Sequence, residues 1–120
     1  MKYLQLYIYR LRKVHRREFL NIMHKAREIY RKHGGYGEEV FRLHKKRSKY
    51  GLTGLWKVLP TTGDEEIWIG LDRYQSFEHW KEVMKKVNAD PEIEPLYERV
   101  IQLVSSASRI VRGEFEMVAY

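Results

Sequence analysis

The order of strand and helix patterns predicts an α+β domain built on an antiparallel sheet of four strands. Three observations support this: an alternating apolar strand opens the chain, a long helical stripe follows it, and residues 65–80 pass from a strand into a capped helix. Strand side chains alternate between two faces, whereas helix side chains return to one face every three or four residues, so the two periods separate the elements. At 120 residues, we predict a single domain spanning residues 1–120.

The composition is typical of a globular domain. Hydrophobic residues make up 43% of the chain and charged residues 32%, which argues against disorder. No apolar run approaches the ~20 residues that a membrane helix needs, and the N-terminus enters a strand directly, so we expect neither a membrane span nor a signal peptide. The absence of cysteine excludes disulfides and thiolate catalysis. By default, we predict a cytoplasmic protein.

The first two elements are the clearest. Residues 1–11 alternate, with Leu4, Leu6 and Ile8 on one face and with Tyr3, Gln5, Tyr7 and Tyr9 on the other. Residues 13–33 carry a helical stripe that runs from Phe19 to His33, and Gly34 follows it. Glycine readily adopts the left-handed conformation that ends helices. We therefore expect a strand followed by a long helix.

The middle of the chain predicts a shorter strand and a long connection. Residues 36–44 indicate a second strand, and the basic run of residues 45–49 begins a loop rich in glycine. A short extended piece is expected at residues 55–59. A connection of this length in a compact domain is often a binding loop.

The central stretch and the C-terminal part complete the plan. Residues 66–71 form a strand with apolar side chains on both faces, residues 72–75 form a turn, and Ser76 is suited to cap the next helix. Asp90 and Pro91 indicate the start of another helix, and residues 109–119 the last strand. The resulting order is the βαββα(α)β plan of ferredoxin-like domains.

Such a sheet carries helices on one face and leaves the other face open. We expect the aliphatic side of the first strand to pack on the helices, so the aromatic side, with Tyr3, Tyr7, Tyr9 and Trp68, would be open. An exposed aromatic surface of that size requires a partner. Either a second copy of the protein covers it, or a ligand such as RNA stacks on it.

Four segments carry a family resemblance: EEIWIGLDRY, SFEHW, NADPEIEPLYERV and RIVRGEFE. Together they resemble the dimeric α+β barrel superfamily, which includes NIPSNAP-like proteins and antibiotic-biosynthesis-type monooxygenases. The chain is most similar to the uncharacterised YbaA-like branch, and the resemblance covers residues 3–117. It implies a homodimer in which the open faces of two sheets close into one barrel.

The resemblance also bears on cofactors. Haem-degrading members of the superfamily carry an asparagine on the first strand, a tryptophan on the second helix and a histidine about three turns later. Gln5 and Trp80 stand at the first two positions, but residues 88–91 lack the histidine. None of the five histidines has the spacing of a metal pair. We therefore predict neither haem nor any other cofactor, and no metal.

The aromatic residues are the best candidates for a ligand-binding wall, because small-molecule pockets are mostly apolar with a few placed polar groups. The alternative is that they form only core and dimer interface. The candidate ligand-binding residues are Gln5, Tyr7, Tyr9, His44, Trp68, Trp80 and Arg112; no catalytic residue is identified.

Three functions remain open from the sequence. The first is a homodimer that binds a small apolar or aromatic molecule, or that acts as a cofactor-independent monooxygenase-like enzyme. The second is an RNA-binding module, which the net charge of +7 permits. The acidic third strand argues against it, so nucleic acid is an unfavoured partner. The third is a structural dimer whose basic residues 45–49 contact an acidic partner.

Overall fold

A computed structural model describes residues 2–119 of the chain. Its elements are β1 (Tyr3–Arg12), α1 (Arg16–Lys32), β2 (Glu39–Arg42), α2 (Leu55–Val58), β3 (Glu65–Tyr74), α3 (Phe77–Asn88), α4 (Ile93–Leu103) and β4 (Val111–Glu116). The predicted α+β class and the order of the main elements are confirmed. No helix within residues 2–119 is both long and apolar enough to cross a membrane.

The four strands form one antiparallel sheet in the order β2-β3-β1-β4. The two ten-residue strands, β1 and β3, lie in the centre and pair from Tyr3 opposite Tyr74 to Arg12 opposite Glu65. Both carry apolar side chains on each face, as strands covered on two sides do. The shorter and more exposed β2 and β4 form the edges.

The aromatic side of β1 faces the helices, so our prediction for its two faces was wrong. Tyr9 lies opposite Trp68 in the register, and both are buried, at 5% and 6% exposure. Tyr9 and Trp68 each pack edge-on against Phe19 of α1. The three rings belong to one buried cluster between the sheet and the helices. A period of two separates the faces of a strand, but it does not say which face is covered.

The open face of the sheet is aliphatic. It carries Leu4, Leu6 and Ile8 of β1, which are only half-buried. Their neighbours in the register, Ile69 on β3 and Val111 on β4, extend the apolar surface across the sheet. This surface, which continues to Phe41, Leu71 and Phe115, is called the open face below.

Helix α1 buries the predicted stripe, including Phe19, Ile22 and Tyr30. The helix begins at Arg16 rather than at Lys13, because residues 13–15 form a 3-10 turn. It ends at Lys32, and Gly34 follows with a φ of 95°. A glycine has no β-carbon to oppose this left-handed conformation, so the predicted helix end is confirmed.

Three local predictions were wrong. The segment Leu55–Val58 forms a short helix instead of an extended piece: it has no strand partner and closes its own turn through the Leu59 amide, which donates to the Leu55 carbonyl at 3.2 Å. Strand β3 continues through the predicted turn to Tyr74. Helix α4 begins at Ile93, later than predicted. Asp90, before it, accepts from the Glu92 amide at 3.0 Å and lies 2.8 Å from His33 Nε2.

The predicted cap of α3 is confirmed. Ser76 Oγ accepts from the backbone amide of His79 at 3.1 Å. His79 then links two helix ends, since its Nδ1 accepts from the Gln75 amide at 3.0 Å and its Nε2 lies 2.8 Å from the Gly34 carbonyl. The start of α3 is thereby fixed against the end of α1.

Removing this cap is expected to destabilise the protein. Ser76→Ala leaves an amide of the first turn without its acceptor, so the free energy of unfolding should fall by about 1 kcal/mol. Urea titration followed by circular dichroism measures the change. Ser48→Ala, at an exposed loop position, is the matched control. Equal midpoints for both variants would show that the cap contributes nothing.

Candidate ligand-binding cavity

A cavity of about 340 Å³ lies between the sheet and the helices. Its apolar walls come mainly from α1, α3 and α4, through Met23, Ala26, Met84, Val100 and Ile101. The polar groups come mostly from the sheet side and the segment before β2. They are Gln5, Tyr7, Tyr9, Glu38, Asp72 and Arg112, with Arg27, Tyr30, Trp80 and Tyr97 from the helices. Apolar walls with a few polar groups are the usual composition of a small-molecule site.

Gln5 is the centre of a hydrogen-bond network. It is almost fully buried, and its amide is satisfied when the oxygen accepts from Arg112 Nη2 at 2.6 Å and from Trp80 Nε1 at 3.0 Å. The amide nitrogen then donates to the Tyr7 hydroxyl at 3.3 Å. Arg112 also lies over the Tyr7 ring, 5.8 Å from its centroid. These contacts join β1, α3 and β4 at one wall of the cavity.

Glu38 enters the cavity because Gly70 leaves room for it. A β-carbon at Gly70 would stand only 2.4 Å from Glu38 Cδ, so any other residue at position 70 would displace the carboxyl group. The Tyr9 hydroxyl donates to Glu38, with both carboxylate oxygens at 3.1 Å. The absent side chain on the sheet and the tyrosine together position this acid.

Asp72 supplies the second acid. It lies on the helix-facing side of β3, opposite Gln5, and is only 3% exposed. Its Oδ1 is buried and accepts no hydrogen bond from any residue between 2 and 119. A buried acceptor without a donor costs about 1–3 kcal/mol. Arg27, which also lines the cavity, has a buried Nε without a partner within residues 2–119, so Asp72 Oδ1 is the unsatisfied acceptor of the cavity and Arg27 Nε its unsatisfied donor.

The surroundings favour the protonated forms of both acids. Loss of solvation raises the pKa of Asp72, and loss of solvation together with the Asp72 charge raises the pKa of Glu38, against the opposing effect of the Tyr9 hydrogen bond. Burial likewise raises the pKa of Tyr7 and of Tyr9, so these hydroxyls remain donors. Acids with raised pKa values in a cleft are frequent at functional sites.

The helix side adds a tyrosine pair. The hydroxyls of Tyr30 on α1 and Tyr97 on α4 form a short hydrogen bond. The two helices are also joined by an ion pair, in which Arg99 Nη2 donates to Glu18 Oε1 at 2.8 Å. The roof of the cavity is thus held by polar contacts as well as by packing.

Five of the seven candidate residues line this one cavity: Gln5, Tyr7, Tyr9, Trp80 and Arg112. Trp68 does not, since its ring packs against Phe19 in the core. His44 does not either, because it lies exposed beyond the end of β2. The structure therefore gives these two residues no contact with the cavity.

Sequence analysis missed both acids. Asp72 stood in a predicted turn, although its place two residues after Gly70 and four after Trp68 puts it on the same face of a longer strand. Glu38 stood in a predicted strand without a distinguishing pattern. Tyr30 was part of the recognised helical stripe, but its contact with Tyr97 depends on how two helices cross. No signal in the sequence indicates that crossing.

Within residues 2–119, no group of three or more histidine, aspartate or glutamate side chains is placed to hold a metal ion. The cavity has two carboxyl groups, one of which already accepts from Tyr9. Its chemistry is that of hydrogen bonding, charge and aromatic contact.

No protein-family model matches the sequence, and no curated protein matches it. Solved structures match over nearly the whole chain. An uncharacterized NIPSNAP domain protein from Burkholderia xenovorans has a TM-score of 0.58 at 12% identity, covering 98% of this chain and 96% of that one. The chain has the fold of NIPSNAP domains.

Two further structures agree. A NIPSNAP-like domain protein from Burkholderia xenovorans has a TM-score of 0.55 at 18% identity, covering 99% of this chain and 87% of that one. A NIPSNAP family protein with unknown function from Agrobacterium tumefaciens has a TM-score of 0.51 at 15% identity, covering 99% and 90%. The predicted NIPSNAP-like fold is confirmed. The function does not follow from these similarities.

The raised pKa of Asp72 predicts a pH-dependent stability. The folded protein holds this proton where the unfolded chain has lost it, so the contribution to stability is complete below the unfolded pKa and lost as the pH rises through the folded pKa. Asp72→Asn cannot titrate. As the pH rises from about 5 to about 8.5, the wild type should therefore lose stability relative to Asp72→Asn. The difference between their free energies of unfolding should change by more than about 1 kcal/mol.

Urea titrations at several pH values measure this difference. Glu82→Gln, which removes an exposed carboxyl group on α3, should follow the wild type at every pH. A constant gap between Asp72→Asn and the wild type would contradict the raised pKa.

Proposed function

We propose that the protein binds a small molecule with an aromatic or apolar body and a polar group in the cavity between sheet and helices. The observation that carries this proposal is the unsatisfied Oδ1 of Asp72 on the floor of a cavity with apolar walls. A ligand donor at that position would recover the cost of the buried acceptor. The body of the ligand would pack against Trp80 and the helix residues.

The network around Gln5 supports binding over simple core packing. Arg112 and Trp80 both donate to one buried amide, which holds the indole of Trp80 in a fixed orientation at the cavity wall. Fixed polar groups reduce the ordering cost that a ligand meets on binding. A core selected for stability alone would use apolar residues at these positions.

A cofactor-independent monooxygenase-like reaction is the second candidate function. Such a reaction on a phenolic or enolic substrate begins with removal of a proton, and a carboxylate whose pKa is raised is suited to act as that base. Asp72 and Glu38 are the groups of the cavity with this property. The specific observation in favour of this function is the hydrogen bond between Glu38 and the Tyr9 hydroxyl inside a cavity that Asp72 also lines.

The RNA-binding hypothesis loses its main support. It required Tyr7, Tyr9 and Trp68 on an open face where bases could stack. Tyr9 and Trp68 are instead buried under α1. The third hypothesis is an interaction protein. Residues 45–49, the basic run on which it rests, are exposed, and an acidic partner would be expected to bind them.

We also propose that two copies associate through the open face, as the dimeric α+β barrel resemblance implies. Phe41, Val111 and Phe115 are 42–50% exposed there, and the aliphatic side chains of β1 lie between them. Contiguous apolar patches of this kind are uncommon on the surface of a monomer. The occupant expected from the resemblance is a second, identical sheet. Its interface would consist of aliphatic and phenylalanine side chains rather than of tyrosine and tryptophan.

Filling the cavity should abolish binding. The probe is 2-phenylethanol, which combines an aromatic ring with one hydroxyl group. Its titration should shift the Trp80 indole resonance in ¹H–¹⁵N spectra of the wild type, because Trp80 Nε1 lies at the cavity wall. Ile101→Trp places a larger side chain in the cavity and should remove that shift.

Val14→Trp, at an exposed site, is the control that keeps the response. Trp80→Phe identifies the indole resonance. If 2-phenylethanol leaves the Trp80 resonance of the wild type unchanged up to its solubility limit, the cavity does not bind such molecules. Native mass spectrometry of protein purified without added ligand provides an independent search for a bound mass.

The dimer proposal predicts a charge-sensitive interface. Phe115→Asp places a carboxylate on the open face, where burying it against a second copy would cost several kcal/mol. We expect a dimer for the wild type and a monomer for the variant in light scattering after size-exclusion chromatography. Val14→Asp should remain a dimer. A monomeric wild type, or a dimeric Phe115→Asp, would contradict the proposal.

A further inference from the structure

We infer that the cavity takes a ligand with a protonated amine, held by Asp72 and Glu38 beneath the aromatic residues. This inference rests on the proposed function, because it names the chemical class of molecule that would bind at that site. It follows from the charges around the cavity, from the positions of the two arginines and from the aromatic rings.

The two acids of the cavity differ from the other acids near the sheet. Glu65 pairs with Arg109 at 2.7 Å, Glu66 with Arg16 at 2.6 Å and Glu114 with Arg112 at 2.9 Å. Within the described part of the chain, neither Glu38 nor Asp72 has a cationic nitrogen within 4.0 Å. The two acids that face the cavity thus have no counter-charge from the described part of the chain.

The two arginines of the cavity do not supply it. Arg112 donates to Gln5 and pairs with Glu114, and its side chain is half exposed. Arg27 packs its stem over Gly37, where a β-carbon would stand 2.2 Å from Arg27 Cγ. This contact directs the chain of Arg27 along the cavity wall, and its guanidinium stays beyond ion-pair distance of Glu38. A cationic ligand could therefore pair with Asp72 and Glu38 without displacing an arginine.

The aromatic rings favour the same class of ligand. Cations are attracted to the faces of tryptophan and tyrosine rings, and Trp80, Tyr7 and Tyr97 all line the cavity. The rings of Tyr7 and Tyr9 are stacked, 6.1 Å apart, beside Glu38. A volume of about 340 Å³ accommodates an aromatic ring that carries a short aminoalkyl chain.

Binding of an ammonium group also changes the protonation of the site. In the empty cavity, lost solvation favours the protonated forms of both acids. A bound cation favours their ionised forms, so protons are released as the amine binds. The other titratable groups that face the acids are Tyr7, Tyr9, Tyr30, Tyr74, Tyr97, Arg27 and Arg112.

Three probes test the inference: phenethylamine, 2-phenylethanol and phenylacetate. Each has a phenyl ring on a short carbon chain, and they differ in the polar group at its end. Affinities come from calorimetry near neutral pH, and the Trp80 indole resonance reports the location. We expect phenethylamine to bind at least about tenfold more tightly than 2-phenylethanol, because hydrogen bonds to charged groups are the stronger ones. Phenylacetate should bind most weakly.

Variants of the acids test the assignment of the residues. Asp72→Asn and Glu38→Gln should each weaken phenethylamine by about tenfold or more. They should weaken 2-phenylethanol by a smaller factor, because asparagine and glutamine lose the charge but keep an oxygen that accepts from the hydroxyl group. Glu82→Gln, which removes an exposed carboxyl group on α3, should retain both affinities. Proton release measured in two buffers of different ionisation enthalpy should be present for the amine and absent for the alcohol.

The outcomes separate this inference from the proposed function. If 2-phenylethanol or phenylacetate binds as tightly as phenethylamine, the cavity is a ligand site but not one for amines. If phenethylamine binds with unchanged affinity to both acid variants, Asp72 and Glu38 do not hold it, and the inference is wrong. If none of the probes shifts the Trp80 resonance, the inference and the proposed function both fail.

Discussion

The antiparallel pairing of β1 with β3 determines both surfaces of this protein. Its register sets Gln5 opposite Asp72 and Tyr9 opposite Trp68, and side chains opposite each other share one face of a sheet. A slip by one residue would turn every side chain of β1 to the other face. It would expose Gln5 and bury Leu4, Leu6 and Ile8 under the helices. The cavity and the open face therefore depend on the same set of backbone hydrogen bonds.

The cavity is costly for a domain of this size. An unsatisfied buried oxygen on Asp72 costs about 1–3 kcal/mol, and Glu38 requires a glycine on the central strand to make room for it, where other residues are better suited to strands. An apolar side chain in place of Asp72 would remove the first cost. Positions at which a sequence departs from its most stable choice are the ones where function is expected. This argument favours a binding site over a defect of packing.

The sequence predicted the order of the elements because periodicity and helix caps are local. Ser76 is an example, since its cap needs only the residues that follow it. The face of β1 that meets the helices could not be predicted, because both of its faces are apolar and the choice depends on the packing of Phe19 against Tyr9. Gln5, Tyr7, Tyr9, Trp80 and Arg112 were proposed as ligand-binding residues from residue type and predicted position, and all five line the cavity. Glu38 was not, because its place depends on Gly70, 32 residues later in the chain.

The pleat of β1 also separates the two proposals. Tyr7 and its alternate neighbours on one side face the cavity, whereas Leu6 and Ile8 face the opposite side, where a second copy would lie. Adjacent residues thus belong to different surfaces, although they share one backbone. An interface of aliphatic side chains tolerates changes of similar volume, whereas the Gln5 network requires defined donors and acceptors at fixed positions. A conservative substitution on the open face of β1 therefore disturbs only packing. One on the cavity face also removes hydrogen bonds of the Gln5 network.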